Sequence, residues 1–366
     1  MVAVEKIEKH LVASIASGAI GYGDRFPSRS DLAEQFKTSL ATVSSAFRRL
    51  SKEHSLEYVA GKGVYLTEKT SEKKLLTIGL IGPGASGYAA GQRHLDDQYW
   101  GAIAYHLLRH AGEYKCALLA VPETSEEPLD IDRIEGFGAD CLISHSIPFL
   151  QKETVLELRR RGIPLVLGNR GGGELPLLGA SYVDYDTANA YRGAVRQFHN
   201  CGHQRIACVL AETSDAAWKR WRDEFVLEGS ELGLQYRYND YTRVLTREEP
   251  HSEAEMQDFY MRETLALLDM PEPPTAIFYH TYTPLLEATL AAIADRGLVL
   301  GKDISVIGLI NEGAEASSPI SAYVQKPDML AVKLIETAQK QVNDLHGVFQ
   351  VDVPLAYIDK GSVGAK

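Results

Sequence analysis

Residues 26–50, FPSRSDLAEQFKTSLATVSSAFRRL, read as two short helices separated by a tight turn. Ser30 is placed to cap a first helix that begins at Asp31 and buries Leu32, Ala33 and Phe36. Ser39 is placed to cap a second that buries Val43, Ala46, Phe47 and Leu50 at helical spacing. Lys37 and Thr38 supply the turn. The second helix opens on Ser39, Leu40, Ala41 and Thr42 and closes on Arg48 and Arg49. Small and polar groups therefore stand at the end that would enter a groove, and cations at the end nearer phosphates, which is helix-turn-helix logic.

Working outward, Ile7, Leu11, Ile15 and Ile20 trace an amphipathic helix that ends at Gly18, followed by the turn Gly21 to Asp24 and then Pro27. Downstream, Leu56 to Val59 and Val64 to Leu66 are strand-like runs joined by Ala60-Gly61-Lys62-Gly63, a hairpin turn with a cation at its tip. Through the order G-x-x-x-x-GDRFPS, DLAEQF, S-x-x-TV-x-x-A-F-RRL and G-K-G-V-Y-L, residues 1–68 resemble the GntR family of bacterial transcription regulators. The resemblance implies a double-stranded DNA operator as partner. It points to Ser28, Arg29, Lys37, Ser39, Leu40, Thr42, Ser44, Arg48, Arg49, Gly61, Lys62 and Gly63 as the contacting residues. The family pattern carries Arg directly after the capping Ser and directly after Thr-Val; Leu40 and Ser44 stand there instead, with Arg29 as a cation placed one residue early. A winged helix used for protein contacts is the competing reading.

A net charge of −11 argues against nucleic acid only if it is evenly spread. It is not: residues 1–74 carry +3 and the remainder −14, so attraction to phosphate is confined to the head and is modest there. With 366 residues, 45% of them hydrophobic, the chain can bury two or three domain cores. Cys116, Cys141, Cys201 and Cys208 sit in apolar runs without the close pairing of a zinc site, and read as reduced core thiols. Neither a signal-peptide stretch nor an apolar run of about 20 residues is present, so the expected location is cytoplasmic, without membrane contact.

The polar run TEKTSEKKL, from Thr67 to Leu75, marks a linker, assigned to 69–75. Beyond it, LLTIGLIG, CALLAV, DCLISH and PLVLGN alternate with helical stretches at Tyr99–Ala111, near Ile131–Phe137, and at Lys152–Arg161. RIACVLA, TAIFYH and ISVIGL then alternate with helices at Ala188–Asn200, Trp218–Gly233 and Thr283–Arg296. Strands divided by helices imply parallel sheets with right-handed crossovers, and two such halves in succession imply a two-lobed α/β body with a cleft.

GHQRIACV, PTAIFYH, KDISVIGL and SPISAYVQKP, in that order, resemble the effector domain of the LacI family, which is built like periplasmic sugar-binding proteins. The fold implied is α/β: a winged helix-turn-helix at 1–68 and, at 76–366, a two-lobed periplasmic-binding-protein-like body that binds an effector and dimerises. The combination is similar to arabinose-responsive repressors, and so implies a homodimeric repressor controlled by a small molecule such as a sugar. Asp186 and Arg170 match conserved positions of that family. The implied effector-binding set is Tyr99, Arg170, Trp221, Tyr282 and Asn311. Three of these depart from the family: Trp221 replaces an Arg that binds sugar hydroxyls, Thr281-Tyr282 replaces Asn-Asp, and Ile310-Asn311 replaces Asp-Asp. A cleft that has lost its ligand is therefore the alternative.

Other chemistry finds little support. Gly82 to Gly87 matches G-x-G-x-x-G, but neither an immediate helix nor an acidic residue about 20 positions on follows it. Asp130-x-Asp132 and Asp184-x-Asp186 fit a helix start and a strand end as well as a metal. Hydrolase, metalloprotease and Walker motifs are absent and the eleven histidines show no ligand spacing, so neither enzyme activity nor cofactor nor metal is expected. His203 is read as stabilising the turn before RIACV, and Trp218 and Trp221 as either core or pocket.

Overall fold

The computed structural model describes residues 3–59, 62–67, 75–81, 95–121, 131–144, 152–168, 179–213, 215–234, 241–246, 253–280 and 283–366. The chain divides into two compact units, Met1–Leu75 with Glu157–Ile163, and Leu76–Leu156 with Pro164–Lys366; Met1–Leu75 is described as the head and the residues after it as the body.

In the head, α1 (Ala3–Ala16) is followed by Gly18 at φ +74°, a left-handed helix stop. Helix α2 (Arg29–Gln35) begins two residues earlier than the sequence predicts, because Ser28 and not Ser30 is the cap. Ser28 Oγ accepts from Asp31 N, and Asp31 Oδ2 accepts from Ser28 N, both at 3.1 Å. That reciprocal pair needs an acidic residue three positions after the cap, which Ser28 has in Asp31 and Ser30 lacks. Helix α3 (Leu40–Leu50) is capped by Ser39, whose Oγ accepts from Thr42 N at 3.2 Å. Lys37, at φ +46°, turns the chain between the two.

The wing pairs β1 (Ser55–Val59) with β2 (Gly63–Thr67) in antiparallel register, Val59 opposite Gly63. The GDRF stretch lines its free edge: Phe26 N donates to Val64 O at 2.8 Å, and Leu66 N to Asp24 O at 2.9 Å. Ile7, Leu11, Phe26, Leu32, Val43, Phe47, Leu50, Val64 and Leu66 form one core, with Phe26 and Phe47 edge to face at 5.5 Å. Each of these side chains is buried, so each contributes roughly 1.5–3 kcal/mol of apolar transfer.

The body contains two six-stranded sheets. The first is built from β3 (Leu76–Ile81), β4 (Cys116–Val121), β5 (Cys141–Ser144), β6 (Leu165–Gly168) and β7 (Ser181–Tyr185), with helices α4 (Leu95–Ala111), α5 (Ile131–Phe137) and α6 (Lys152–Arg160) between them. The second contains β8 (Ile206–Thr213), β9 (Thr242–Thr246), β10 (Ala276–His280), β11 (Ser305–Asn311) and β12 (Ser321–Gln325). Its helices are α7 (Thr187–Asn200), α8 (Asp215–Glu231), α9 (Glu253–Leu268), α10 (Thr283–Asp295) and the short α11 (Ala314–Ser317). The orders β4-β3-β5-β6-β7 and β9-β8-β10-β11-β12 are the same doubly wound topology, all parallel.

The two lobes do not follow one another as complete halves, which corrects the expectation of two successive units. After β12 the chain returns to the first lobe as α12 (Pro327–Asn343) and β13 (Gln350–Val353), which pairs parallel with β7. It then crosses back as β14 (Ala356–Ile358), antiparallel to β12. Helix α12 belongs to the first lobe because Leu330, Ala331, Leu334, Ile335 and Ala338 fill that lobe's core beside Ile103 and Leu107 of α4. Three crossings thus join the lobes, after β7, β12 and β13, each at the carboxyl end of a strand. Leu355, in the third, packs against both lobe cores.

Cys116, Cys141 and Cys208 are buried, Cys201 is half-buried, and all four are free. Burial pushes the thiols of Cys116, Cys141 and Cys208 above the ordinary range, as inert core groups require. Among the described residues no helix is long and apolar enough to cross a membrane.

Candidate functional site

Helix α3 turns Val43, Ala46, Phe47 and Leu50 inward, which leaves Leu40 54% exposed and Thr42, Ser44 and Arg48 half-buried on the outer side. Thr42 is held twice by the cap, since its Oγ1 also lies 2.9 Å from Ser39 Oγ. Arg29, at the start of α2, sets its guanidinium 5.8 Å from the centre of the Tyr58 ring on β1. Burial pushes the Tyr58 phenol above its ordinary range, against the opposing charges of Arg29 and Arg48. Tyr58 is 51% exposed, an aromatic on the outer face of the wing that no family motif marks. An outward-facing position in a two-stranded ribbon is the signal for it. Arg49 engages Glu8 of α1 at 2.9 Å and so also serves the head's own packing. Lys62 is exposed at the hairpin, Gly63 takes φ +118°, and Gly61 lies outside the described residues.

In the body, the doubly wound topology places the switch points between β3 and β5 and between β8 and β10, the position where such sheets take ligands. His280 closes β10 at the second of these. Its Nδ1 lies 2.9 Å from Tyr191 Oη on α7, its ring is 4.7 Å from Trp221 of α8, and its carbonyl accepts from the Tyr260 hydroxyl. Tyr191 in turn stacks on Trp221 at 5.9 Å and meets Phe278 edge-on at 4.7 Å. Desolvation holds the His280 imidazole down at about 4 and pushes the Tyr191 phenol well above its usual range, so both groups are neutral near pH 7.

Trp221, weighed as core or pocket on sequence grounds, is 8% exposed and joins the second-lobe core with Phe225 and Phe278. Asn311 ends β11, half-buried, at the same carboxyl edge as His280. Arg170 and Tyr282 lie outside the described residues, as do Trp218's side chain and the Gly82–Gly87 segment. Tyr99 falls on α4 with its side chain also outside them. The structure therefore brings Trp221 to the strand ends and adds Tyr191, which no family motif marks, and His280, the last residue of the PTAIFYH run, which the sequence does not single out as a site residue.

The carboxylates weighed as metal ligands have local roles. Asp186 caps α7, its Oδ1 accepting from Asn189 N at 3.2 Å, and Asp184 accepts from Tyr185 N at 2.9 Å. Asp132 lies in the first turn of α5, and Asp130 is outside the described residues. His203 is buried, with Nδ1 2.9 Å from Thr275 Oγ1 and Nε2 3.0 Å from the carbonyl of Gly364, and so ties the C-terminal segment to the residue that precedes β10. The reading that no histidines show ligand spacing is corrected: His106 and His110, four apart on α4, converge with Asp328 of α12.

Residues 3–66 match the family described as bacterial regulatory proteins, gntR family, and residues 195–363 match the periplasmic binding protein-like domain. Over 177 residues the chain is 29% identical to the HTH-type transcriptional repressor CytR of Escherichia coli (strain K12), covering 46% of this chain and 45% of that protein. It therefore spans about half the length of that relative. Over 290 residues it is 26% identical to the HTH-type transcriptional regulator AglR of Rhizobium meliloti (strain 1021), 75% of each chain. The fold also resembles the transcriptional regulator CelR in complex with cellobiose, at TM-score 0.59 and 16% identity over 89% of this chain and 92% of that one.

Proposed function

We propose that this chain, a GntR-type winged helix-turn-helix head on a periplasmic-binding-protein-like body, is a DNA-binding transcription regulator whose operator affinity is set by a small molecule bound between the lobes. The observation that carries the reading is the pairing of two parts. The first is an α3 whose outer row is Leu40, Thr42, Ser44 and Arg48. The second is a body whose two sheets meet through three strand-end crossings. Leu40, Thr42 and Ser44 on the outer row of α3 contact base edges, while Arg48 at its far end, with Arg29, Lys37 and Lys62, holds phosphates. One head offers few phosphate contacts, so two heads of a homodimer read a pseudo-palindrome. The activity is repression without catalysis.

A ligand controls such a body only by favouring one lobe arrangement over another. The crossings at Asp186, Lys326 and Leu355 are where that change concentrates. The effector class is a sugar or a sugar-like molecule, in keeping with the cellobiose-bound neighbour of the same fold. Arg170, Tyr99, Tyr282 and Asn311 are the proposed contacts, with His280 contributing an uncharged imidazole edge. A body that has lost its ligand is the second reading. It is favoured by one observation: Trp221, at the position where the LacI-family pattern that this sequence resembles carries a sugar-binding Arg, gives its ring to the core.

The test is a thermal-shift and calorimetric screen against mono- and disaccharides, sugar phosphates and nucleosides, with every hit retested for release of bound duplex. A hit that stabilises the body and changes duplex affinity supports the first reading. Duplex binding that is indifferent to the whole panel supports the second.

A further inference from the structure

We infer that the first lobe holds a binding site for a divalent d-block cation, zinc foremost, formed by His106 and His110 of α4 and Asp328 of α12. Four-residue spacing places the two imidazoles one turn apart on a single face of α4. Asp328 lies in the first turn of α12, and packing of the two helices in the lobe core brings its carboxylate between the rings. His106 Nδ1 lies 2.9 Å, and His110 Nε2 2.7 Å, from the same oxygen, Asp328 Oδ1. One candidate ligand atom from each of the three residues falls within 4.8 Å of the others.

Two further observations point to a cation. His106 Nδ1 is a buried atom that makes no hydrogen bond among the described residues, although Asp328 Oδ1 lies 2.9 Å away. A buried ring nitrogen without a hydrogen-bond partner is costly unless something fills its bonding direction. His110 also presents Nδ1 to Glu113 Oε2 at 3.2 Å, the carboxylate–imidazole pairing that orients a ligating histidine and raises its basicity. The donor set, two imidazole nitrogens and one carboxylate oxygen, suits zinc and its d-block neighbours and not calcium or magnesium, which take oxygen cages. Tetrahedral bonds of about 2.0–2.1 Å separate ligand atoms by roughly 3.3 Å, so loading requires the carboxylate to withdraw by about half an ångström from each ring. Asp328 is 41% exposed, which permits that movement and leaves room for a water as fourth ligand. Arg109 Nη1, 3.8 Å from Asp328, opposes the cation; its side chain is 61% exposed and free to turn outward.

Without metal the same groups make an ion pair: hydrogen bonds to Asp328 and Glu113 favour the charged His110 imidazole, and those to His110 favour the charged Asp328 carboxylate. The test separates these states. Full-length protein, stripped with a chelator and dialysed, is titrated with Zn²⁺ by calorimetry at pH 7.5, and separately loaded with Co²⁺ for its visible spectrum. One zinc per chain is expected, with cobalt bands of a nitrogen–oxygen tetrahedral site and no thiolate charge-transfer band. Affinity should fall by more than tenfold in His106→Ala and in Asp328→Asn, and by roughly 10- to 100-fold in Glu113→Gln, where every direct ligand remains. Circular dichroism identifies any variant that fails to fold, and the cobalt spectrum of the unaltered protein stands without them. Overturning results are no bound zinc in the unaltered chain, a cobalt–thiolate spectrum, or undiminished zinc in the folded His106→Ala protein. Any of them leaves an ion pair alone at this place.

Discussion

Acidification should destabilise the body through His280. Burial lowers this imidazole from 6.5 to about 4, so the folded chain binds fewer protons than the unfolded chain between those values. For a group with a depressed folded value, the contribution is complete above 6.5 and lost as pH falls toward 4. At about 1.4 kcal/mol for each tenfold change in proton affinity, the ceiling is about 3 kcal/mol, and the linkage relation gives a loss of about 2 kcal/mol on going from pH 7 to pH 5. His110, whose charged form is favoured by its hydrogen bonds to Asp328 and Glu113, contributes with the opposite sign. The informative quantity is therefore the difference between the unaltered protein and His280→Gln, which keeps a polar partner for Tyr191. Urea unfolding followed by tryptophan fluorescence reports the body, since all three tryptophans lie beyond Leu75. The stability advantage of the unaltered protein should shrink by about 2 kcal/mol between pH 7 and pH 5. A difference that stays constant would refute the claim that His280 is held neutral by burial.

Ser28→Ala should cost the head about 1 kcal/mol by removing the reciprocal cap of α2, whereas Ser30→Ala should change stability by less than about 0.5 kcal/mol; calorimetric scans of the full chain compare them. Trp221→Arg places a cation among Tyr191, Phe225 and Phe278, so it should lower body stability by roughly 3 kcal/mol or more and not simply restore sugar binding. Chemical denaturation and sugar calorimetry on the same sample decide that point. Lys62→Ala and Arg29→Ala should each reduce the salt slope of duplex binding by about one, while Thr42→Ala changes the preferred sequence and leaves the slope in place. A salt series against two unrelated duplexes reads all three.

The head was largely legible because local chemistry decides it. Val43, Ala46, Phe47 and Leu50 at helical spacing, and Ser39 three residues before Thr42, are short-range signals that the fold obeys. The error at Ser30 was also local, a choice between two serines that an acidic residue three positions on would have settled. The body's parallel strands were equally visible as short apolar runs between helices. What stayed hidden was long-range: nothing in the stretch from Pro327 to Val353 declares which of two similar lobes it will complete, since both sheets accept a parallel strand and an amphipathic helix. The same limit applies to Tyr191 and His280, 89 residues apart, and to His110 and Asp328, 218 apart. His106 and His110 are the exception, a four-residue spacing open to inspection.

The central claim is that paired heads read a symmetric duplex. Selection of bound sequences from a random duplex library by the purified full-length protein tests it directly. Two inverted half-sites should be enriched, with centres about one helical turn, or a multiple of it, apart, and with the preference altered by Thr42→Ala and Ser44→Ala. A selected pool with no shared motif, or one whose motif is unchanged by both substitutions, would contradict it.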